Sequence, residues 1–213
     1  MKRFWHHNGL SITLIFLFLL FWSGQTLTGW RDHNNEQITK NQPTETLLQY
    51  IESGDFAEAT FENWESEFLQ MGAYVLFTTF LFQKGSAESK DPDEEDPAPD
   101  LSQEKSVTHL KGLQLKLYEN SLSLAFFALF LLSFFLHAWG GSRAYSQELL
   151  EEGKSAVGFW TFLTSARFWF QSLQNWQSEF LAVASIVLLS IFLRQKGSPE
   201  SKSITSPNSA TGE

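Results

Sequence analysis

Residues 63–90 read NWESEFLQMGAYVLFTTFLFQKGSAESK, and residues 175–202 read NWQSEFLAVASIVLLSIFLRQKGSPESK. Placed at an offset of 112 without a gap, the two stretches agree at 17 of 28 positions, and the register holds upstream to Asn8 and Asn120. Self-similarity at one fixed offset reads as an internal duplication. Each copy has an acid-bearing start, an uncharged apolar run and a polar end, which suits a helix that leaves water, crosses an apolar layer and emerges again.

Four segments of this kind occur, over residues 10–29, 64–83, 121–140 and 176–193. A hydrocarbon layer of roughly 30 Å takes about 20 helical residues, and lipid offers the backbone no hydrogen-bond partner, so a span must be helical unless a barrel can close. Four spans cannot close one. The mean hydropathy of -0.17 conceals these runs because polar stretches dilute them. The expected fold class is therefore an all-α membrane protein with four transmembrane helices, arranged as two tandem homologous hairpins. Each hairpin crosses twice, so both insert in the same sense, and a pseudo-two-fold axis along the membrane normal relates them. The first segment follows Lys2 and Arg3, as a signal peptide would. Its gapless match to residues 120–133, deep in the chain, argues for a permanent helix.

The expected domains are a first hairpin over 1–90 with an outer loop over 30–63, an acidic cytoplasmic linker over 91–111, a second hairpin over 112–202 with an outer loop over 141–175, and a disordered tail over 203–213. Lys and Arg are richer in the N-terminal tail, the middle loop and the C-terminal tail than in the two outer loops, so both termini face the cytoplasm. Ala57, Phe61, Trp64 and Phe68, and in the second copy Trp169, Leu173, Trp176 and Phe180, recur at helical spacing. Asp55 followed by Glu58 reads as a capping box ahead of the first set. The aromatic stretch 157–176 is expected to lie at the outer interface, where such rings are favoured.

The segments FWHHNGLS (residues 4–11) and HAWGG (137–141), with the doubled NWxSEF and QKGSxESK, resemble a group of uncharacterised bacterial integral membrane proteins known as a domain of unknown function. The resemblance extends over nearly the whole chain apart from the linker and tail. It implies a bacterial inner-membrane location and supplies no catalytic residues.

Glu67 and Glu179 are equivalent ionisable residues beside the membrane, where such groups are functional suspects. Two readings stand: a functional polar pair, or first-turn carboxylates favoured by the helix macrodipole, with Asn63 and Asn175 as caps. His137, aligned with Gln25, is either an interfacial imidazole or a partner facing Glu179 or Glu67 in a polar cluster of the outer third. Arg31 and Arg143 either anchor helices at head-group level or hold an anion. Gly29, Gly140 and Gly141 are expected to end helices, while Gly72, Ala73, Ala182, Ala184 and Ser185 suit close helix contact.

The chain has no cysteine, which excludes disulfides and thiolate sites. Its net charge of -9 with scattered basic residues argues against nucleic acid. His6 and His7 are adjacent on a tail with no third ligand in view, and no metal or cofactor is expected. No phosphate-binding, nucleophile-elbow or zinc-protease motif occurs, so an enzyme is not expected. The expected function is that of a structural or interaction protein, with the lipid bilayer, further copies or other membrane proteins as partners. The alternative is a small transporter or channel with an outer-leaflet polar cluster.

Overall fold

The computed structural model describes residues 2–93 and 110–212. Most of the expected acidic linker over 91–111 lies outside the described residues. Among those described, every regular element is a helix: α1 (Lys2–Thr39), α2 (Leu47–Ile51), α3 (Gly54–Phe77), α4 (Leu113–Glu119), α5 (Ser121–Glu151), α6 (Phe159–Leu163) and α7 (Ala166–Phe192).

Three of these are long and apolar enough to cross a membrane, over Phe4–Thr39, Ser121–Glu151 and Ala166–Phe192. Helix α3 is the exception. It carries Glu62, Glu65 and Glu67 near its middle and ends at Phe77, short of the expected Gln83. Thr78 and Thr79 follow, and their hydroxyls bond back to the carbonyls of Val75 and Leu76 at 3.1 and 2.6 Å. Phe80 N–H then bonds to Phe77 O in a tighter turn. Side chains that compete for helical carbonyls favour such an ending.

The elements recur at one offset. Helices α2 and α6 begin and end 112 residues apart, α1 and α5 end 112 apart, and α3 and α7 begin 112 apart. The local chemistry recurs with them. Ser53 Oγ accepts from Phe56 N–H, and Ser165 Oγ from Phe168 N–H, both at 3.2 Å. Ser66 and Ser178 each donate to the carbonyl three residues back, Asn63 and Asn175, at 2.7 and 2.8 Å. Gln83 N–H meets Ser89 Oγ at 2.9 Å, and Gln195 N–H meets Ser201 Oγ at 2.8 Å. The aromatic pair Trp22–Phe56 has its counterpart in Phe134–Phe168.

The glycines expected to end helices do not. Gly29 lies inside α1, and Gly140 and Gly141 lie inside α5; both helices run past the expected span ends. Their true ends are Schellman turns. Asn41 takes a φ of 55°, with Gln42 N–H bonding to Gln37 O; Gly153 takes a φ of 72°, with Lys154 N–H bonding to Leu149 O.

By compactness the chain divides into one unit of Met1–Thr60 with Ala138–Phe162 and another of Phe61–His137 with Leu163–Glu213. Each takes residues from both expected hairpins, 1–90 and 112–202, and the doubled stretches 63–90 and 175–202 both belong to the second unit. In the first unit the backbone approaches closely. A Cβ on Gly140 would lie 2.6 Å from Glu58 N, and one on Gly54 would lie 2.6 Å from Ala144 N. The glycines there serve helix contact rather than termination. Tyr50, Phe56, Ala144 and Phe162 are buried around them.

In the second unit Gly72 faces Phe126, Ala73 is buried, and Ala182 and Ala184 are exposed. The tail expected to be disordered is instead tied down over 203–212. Lys202 Nζ is buried and donates to the carbonyls of Gly85, Asn208 and Ala210. Arg194 holds Ser203 O, Ser206 O and Asn208 Oδ1. Composition alone suggested disorder, but two cations with many donors find carbonyls that a polar chain leaves free.

Exposure is distributed as in a membrane protein. Leu10, Phe21, Leu122, Leu132, Leu188 and Phe192 are exposed, whereas Glu65, His137 and Lys202 are buried. Lipid rewards the first pattern, and polar groups inside must then pair with one another.

Candidate functional site

Glu65 of α3 and His137 of α5 are both fully buried, and Nδ1 of the imidazole lies 3.0 Å from Glu65 Oε2. A carboxylate oxygen accepts, so Nδ1–H donates. From α7, Trp176 Nε1–H donates to Glu65 Oε1 at 3.2 Å. Both oxygens of one carboxylate thus take hydrogen bonds from different helices, the arrangement that keeps a buried charge tolerable.

Aromatic rings close the site. Phe168 is fully buried, with its ring centroid 4.7 Å from that of His137. Phe134 meets Phe168 edge-on at 5.1 Å, and Phe130 lies against Trp176 at 6.1 Å. Ser165, as the N-cap of α7, sets where Phe168 falls in the first turn. On the other side of the imidazole, Nε2 is buried and has no hydrogen-bond partner.

The residues singled out from sequence fare differently. His137 pairs with Glu65, not with Glu67 or Glu179. Glu67 is exposed and Glu179 half-buried, with the charge of Glu67 acting on Glu179. Asn63 and Asn175 lie well inside α3 and α7, so neither caps a helix, and Glu67 and Glu179 are too far in to meet the positive end of a macrodipole. Ser53 and Ser165 accept from the first-turn N–H groups instead, and in the first copy Ser53 stands where the Asp55–Glu58 box was expected. Asn175 Nδ2 donates to Glu62 Oε1 at 2.6 Å.

Gln25 is exposed, with Nε2 3.4 Å from Ala59 O, and does not join the cluster. Arg31 and Arg143 are exposed, and the Arg143 guanidinium lies 4.8 Å over the Trp139 ring. That stacking fits an interfacial anchor better than an anion site. Among the described residues no three His, Asp or Glu side chains converge as a metal site would require.

Glu65, Trp176 and Phe168 were missed as partners of His137. A signal was present. In the 112-residue register Glu65 stands opposite Gln177 and His137 opposite Gln25, so the two members of the buried pair are both places where the copies differ in ionisable character.

No curated protein and no solved structure matches the chain. A family model matches residues 1–213 in full, and the chain belongs to the family described as a domain of unknown function (DUF6766).

Proposed function

We propose that the protein is a structural or interaction component of the bacterial inner membrane, with four spans in two duplicated hairpins and the Glu65–His137–Trp176 cluster as the clasp that holds three of its helices. The observation that carries this reading is that both Glu65 oxygens take donors from inside the protein. A carboxylate so occupied fastens helices.

The fourth span lies within α3, past Asp55 in its first turn. The helix's 24 residues extend about 36 Å at 1.5 Å each, enough for a core of roughly 30 Å. Of its three central glutamates, Glu65 is paired in the clasp, which offsets the penalty that makes the helix look too polar. The duplication is supported by the helix ends and hydrogen bonds that recur at one offset. Two equivalent pairs, Glu67 with Glu179 and Glu88 with Glu200, also lie within reach of each other's charge. Residues near a two-fold axis meet their own counterparts, and two such pairs 21 residues apart favour an axis along the helices. Both termini are cytoplasmic in this topology.

A second reading, transport of a proton or small ion, is favoured by one observation: the buried, unpartnered Nε2 of His137. Proteoliposomes separate the two. Under the structural reading the reconstituted protein passes no protons in response to a pH step, and replacing Glu65 and His137 by Gln leaves that unchanged. A proton leak that disappears in that variant would replace it with the transport reading.

A further inference from the structure

Contacts between the two long helices of a hairpin recur at the 112-residue offset: Trp22 on α1 meets Phe56 on α3, and Phe134 on α5 meets Phe168 on α7. The contact of α3 with α5 has a counterpart of a different kind. Within the second unit Gly72 of α3 faces α5 so closely that a Cβ on it would lie 3.2 Å from Phe126 Cβ, with the Phe127 ring at 3.6 Å. Along the same side of α3, Glu65 and Gly72 are buried and Leu69 and Leu76 half-buried.

The equivalent surfaces 112 residues away are open. Leu14 and Ile15, which correspond to Phe126 and Phe127, are 57% and 60% exposed, and Phe18 and Phe21 are exposed beyond them. On α7 the equivalents of Glu65, Leu69, Gly72 and Leu76 are Gln177, Leu181, Ala184 and Leu188, all exposed. Leu14, Phe18, Phe21 and Gln25 follow one another at i, i+4, i+7 and i+11, as do the four on α7, so each set is a stripe along one side of its helix. Exposed apolar residues by themselves would mean only contact with lipid. What marks these two stripes is that each is the counterpart of a covered one.

The polar residues agree. Gln25 and Gln177 stand where the clasp has His137 and Glu65. Both are exposed, and Gln25 reaches Ala59 O at 3.4 Å with its amide nitrogen. Every carboxamide carries both donor and acceptor, so two glutamines satisfy each other without any assumption about charge or tautomer. Such pairs, with a small residue that lets the backbones approach, draw helices together in lipid. We propose that the protein pairs with a second copy of itself, α1 of each chain lying on α7 of the other as α5 lies on α3 within a chain, with Gln25 of one opposite Gln177 of the other. A two-fold axis makes both contacts at once and leaves neither stripe open for further growth. This names the partner for the structural reading and rests on its duplicated hairpins.

The chain has no cysteine, so disulfide trapping reports only introduced pairs. Disulfide Cβ atoms lie roughly 3.5–4.5 Å apart, close to the separation at Gly72 and Phe126. Full-length chains with Leu14→Cys and differently tagged chains with Ala184→Cys, reconstituted together in liposomes under mild oxidant, are expected to form the mixed disulfide dimer. Phe16→Cys, on the opposite side of α1, should be trapped far less. In micelles Gln25→Leu with Gln177→Leu should weaken association about tenfold, the scale of two interhelical hydrogen bonds. Ala184→Phe, on a surface open in the single chain, should abolish the dimer without unfolding it. A wild type that stays monomeric leaves lipid as the cover of both stripes and overturns the proposal. Equal trapping through Phe16→Cys, a dimer indifferent to Ala184→Phe, or a chain carrying both Leu14→Cys and Ala184→Cys that bonds only within itself overturns it as well. Gly72→Cys with Phe126→Cys in one chain should bond internally; failure there strikes the packing and the duplicated hairpins of the proposed function, whereas bonding there without the mixed dimer defeats the docking alone.

Discussion

His137 and His33 each lie against a carboxylate, in opposite surroundings. The His137 side chain is 0% exposed, its carboxylate partner is equally buried, and aromatic rings seal the pair. The His33 side chain is 11% exposed, it sits within reach of both Asp55 and Glu45, and it opens on a polar cavity. In the sealed site a charge has no water to fall back on, so pairing decides stability. In the open site neighbouring acids outnumber the cations and solvent softens the imbalance, so the consequence is one of pH.

The largest effect expected from this contrast lies in the clasp. Glu65→Ala or His137→Ala alone strands a buried polar partner, and losses of about 3–5 kcal/mol are expected, as for other broken buried pairs. The double change Glu65→Gln with His137→Gln installs the residue types of the counterparts Gln177 and Gln25, and it should recover most of that loss. Unfolding of the purified protein in mixed micelles, read as a double-mutant cycle, measures both. Strictly additive losses would mean that the two residues do not act as a pair.

Next in size is the close helix contact in the unit that holds His33. Gly140→Ala adds a Cβ 2.6 Å from Glu58 N, where backbone cannot give way, so a loss of about 1–3 kcal/mol is expected. Gly24→Ala meets nothing within 4 Å in the middle of α1 and should gain roughly 0.5–1 kcal/mol from helix propensity. Melting temperatures of the two variants moving in the same direction would break the distinction between packed and open glycines.

The smallest effect is the pH response of the open site. The Asp55 carboxyl is held above its usual value chiefly by burial, so its folded pKa exceeds the unfolded value of about 3.9. Its protonation therefore favours the folded state. That contribution is present in full below about pH 4 and is lost as pH rises through the folded value. Relative to Asp55→Asn, the wild type should lose stability between pH 4 and neutrality, and modestly, because the Asp55 side chain is 40% exposed and solvent screens it. Parallel Tm profiles for the two proteins from pH 4 to 8 would show that Asp55 carries no such linkage.

Much of this was legible in residues alone. Uncharged apolar runs dictate helices because lipid leaves no other way to satisfy a backbone, and three such helices are present. The doubled NWxSEF and QKGSxESK stretches do form matching local hydrogen bonds. Helix ends were less legible. They depend on a serine hydroxyl at the start and a left-handed Asn41 or Gly153 at the finish, single residues that hydropathy does not weigh. The candidate site was half legible: His137 was visible as an ionisable residue near a span, but its partner was not.

The sequence by itself determined helical class, the apolar helices and the recurrence at 112 residues, because each follows from the local order of residue types. Tertiary structure decided that Glu65 rather than Glu67 or Glu179 meets His137, that Gly140 marks a contact rather than an end, and that Lys202 fastens the tail. These depend on which faces of separate helices come together, and helical faces turn by about 100° per residue. A shift of two positions, from Glu67 to Glu65, moves a carboxylate from an exposed surface to a sealed interior.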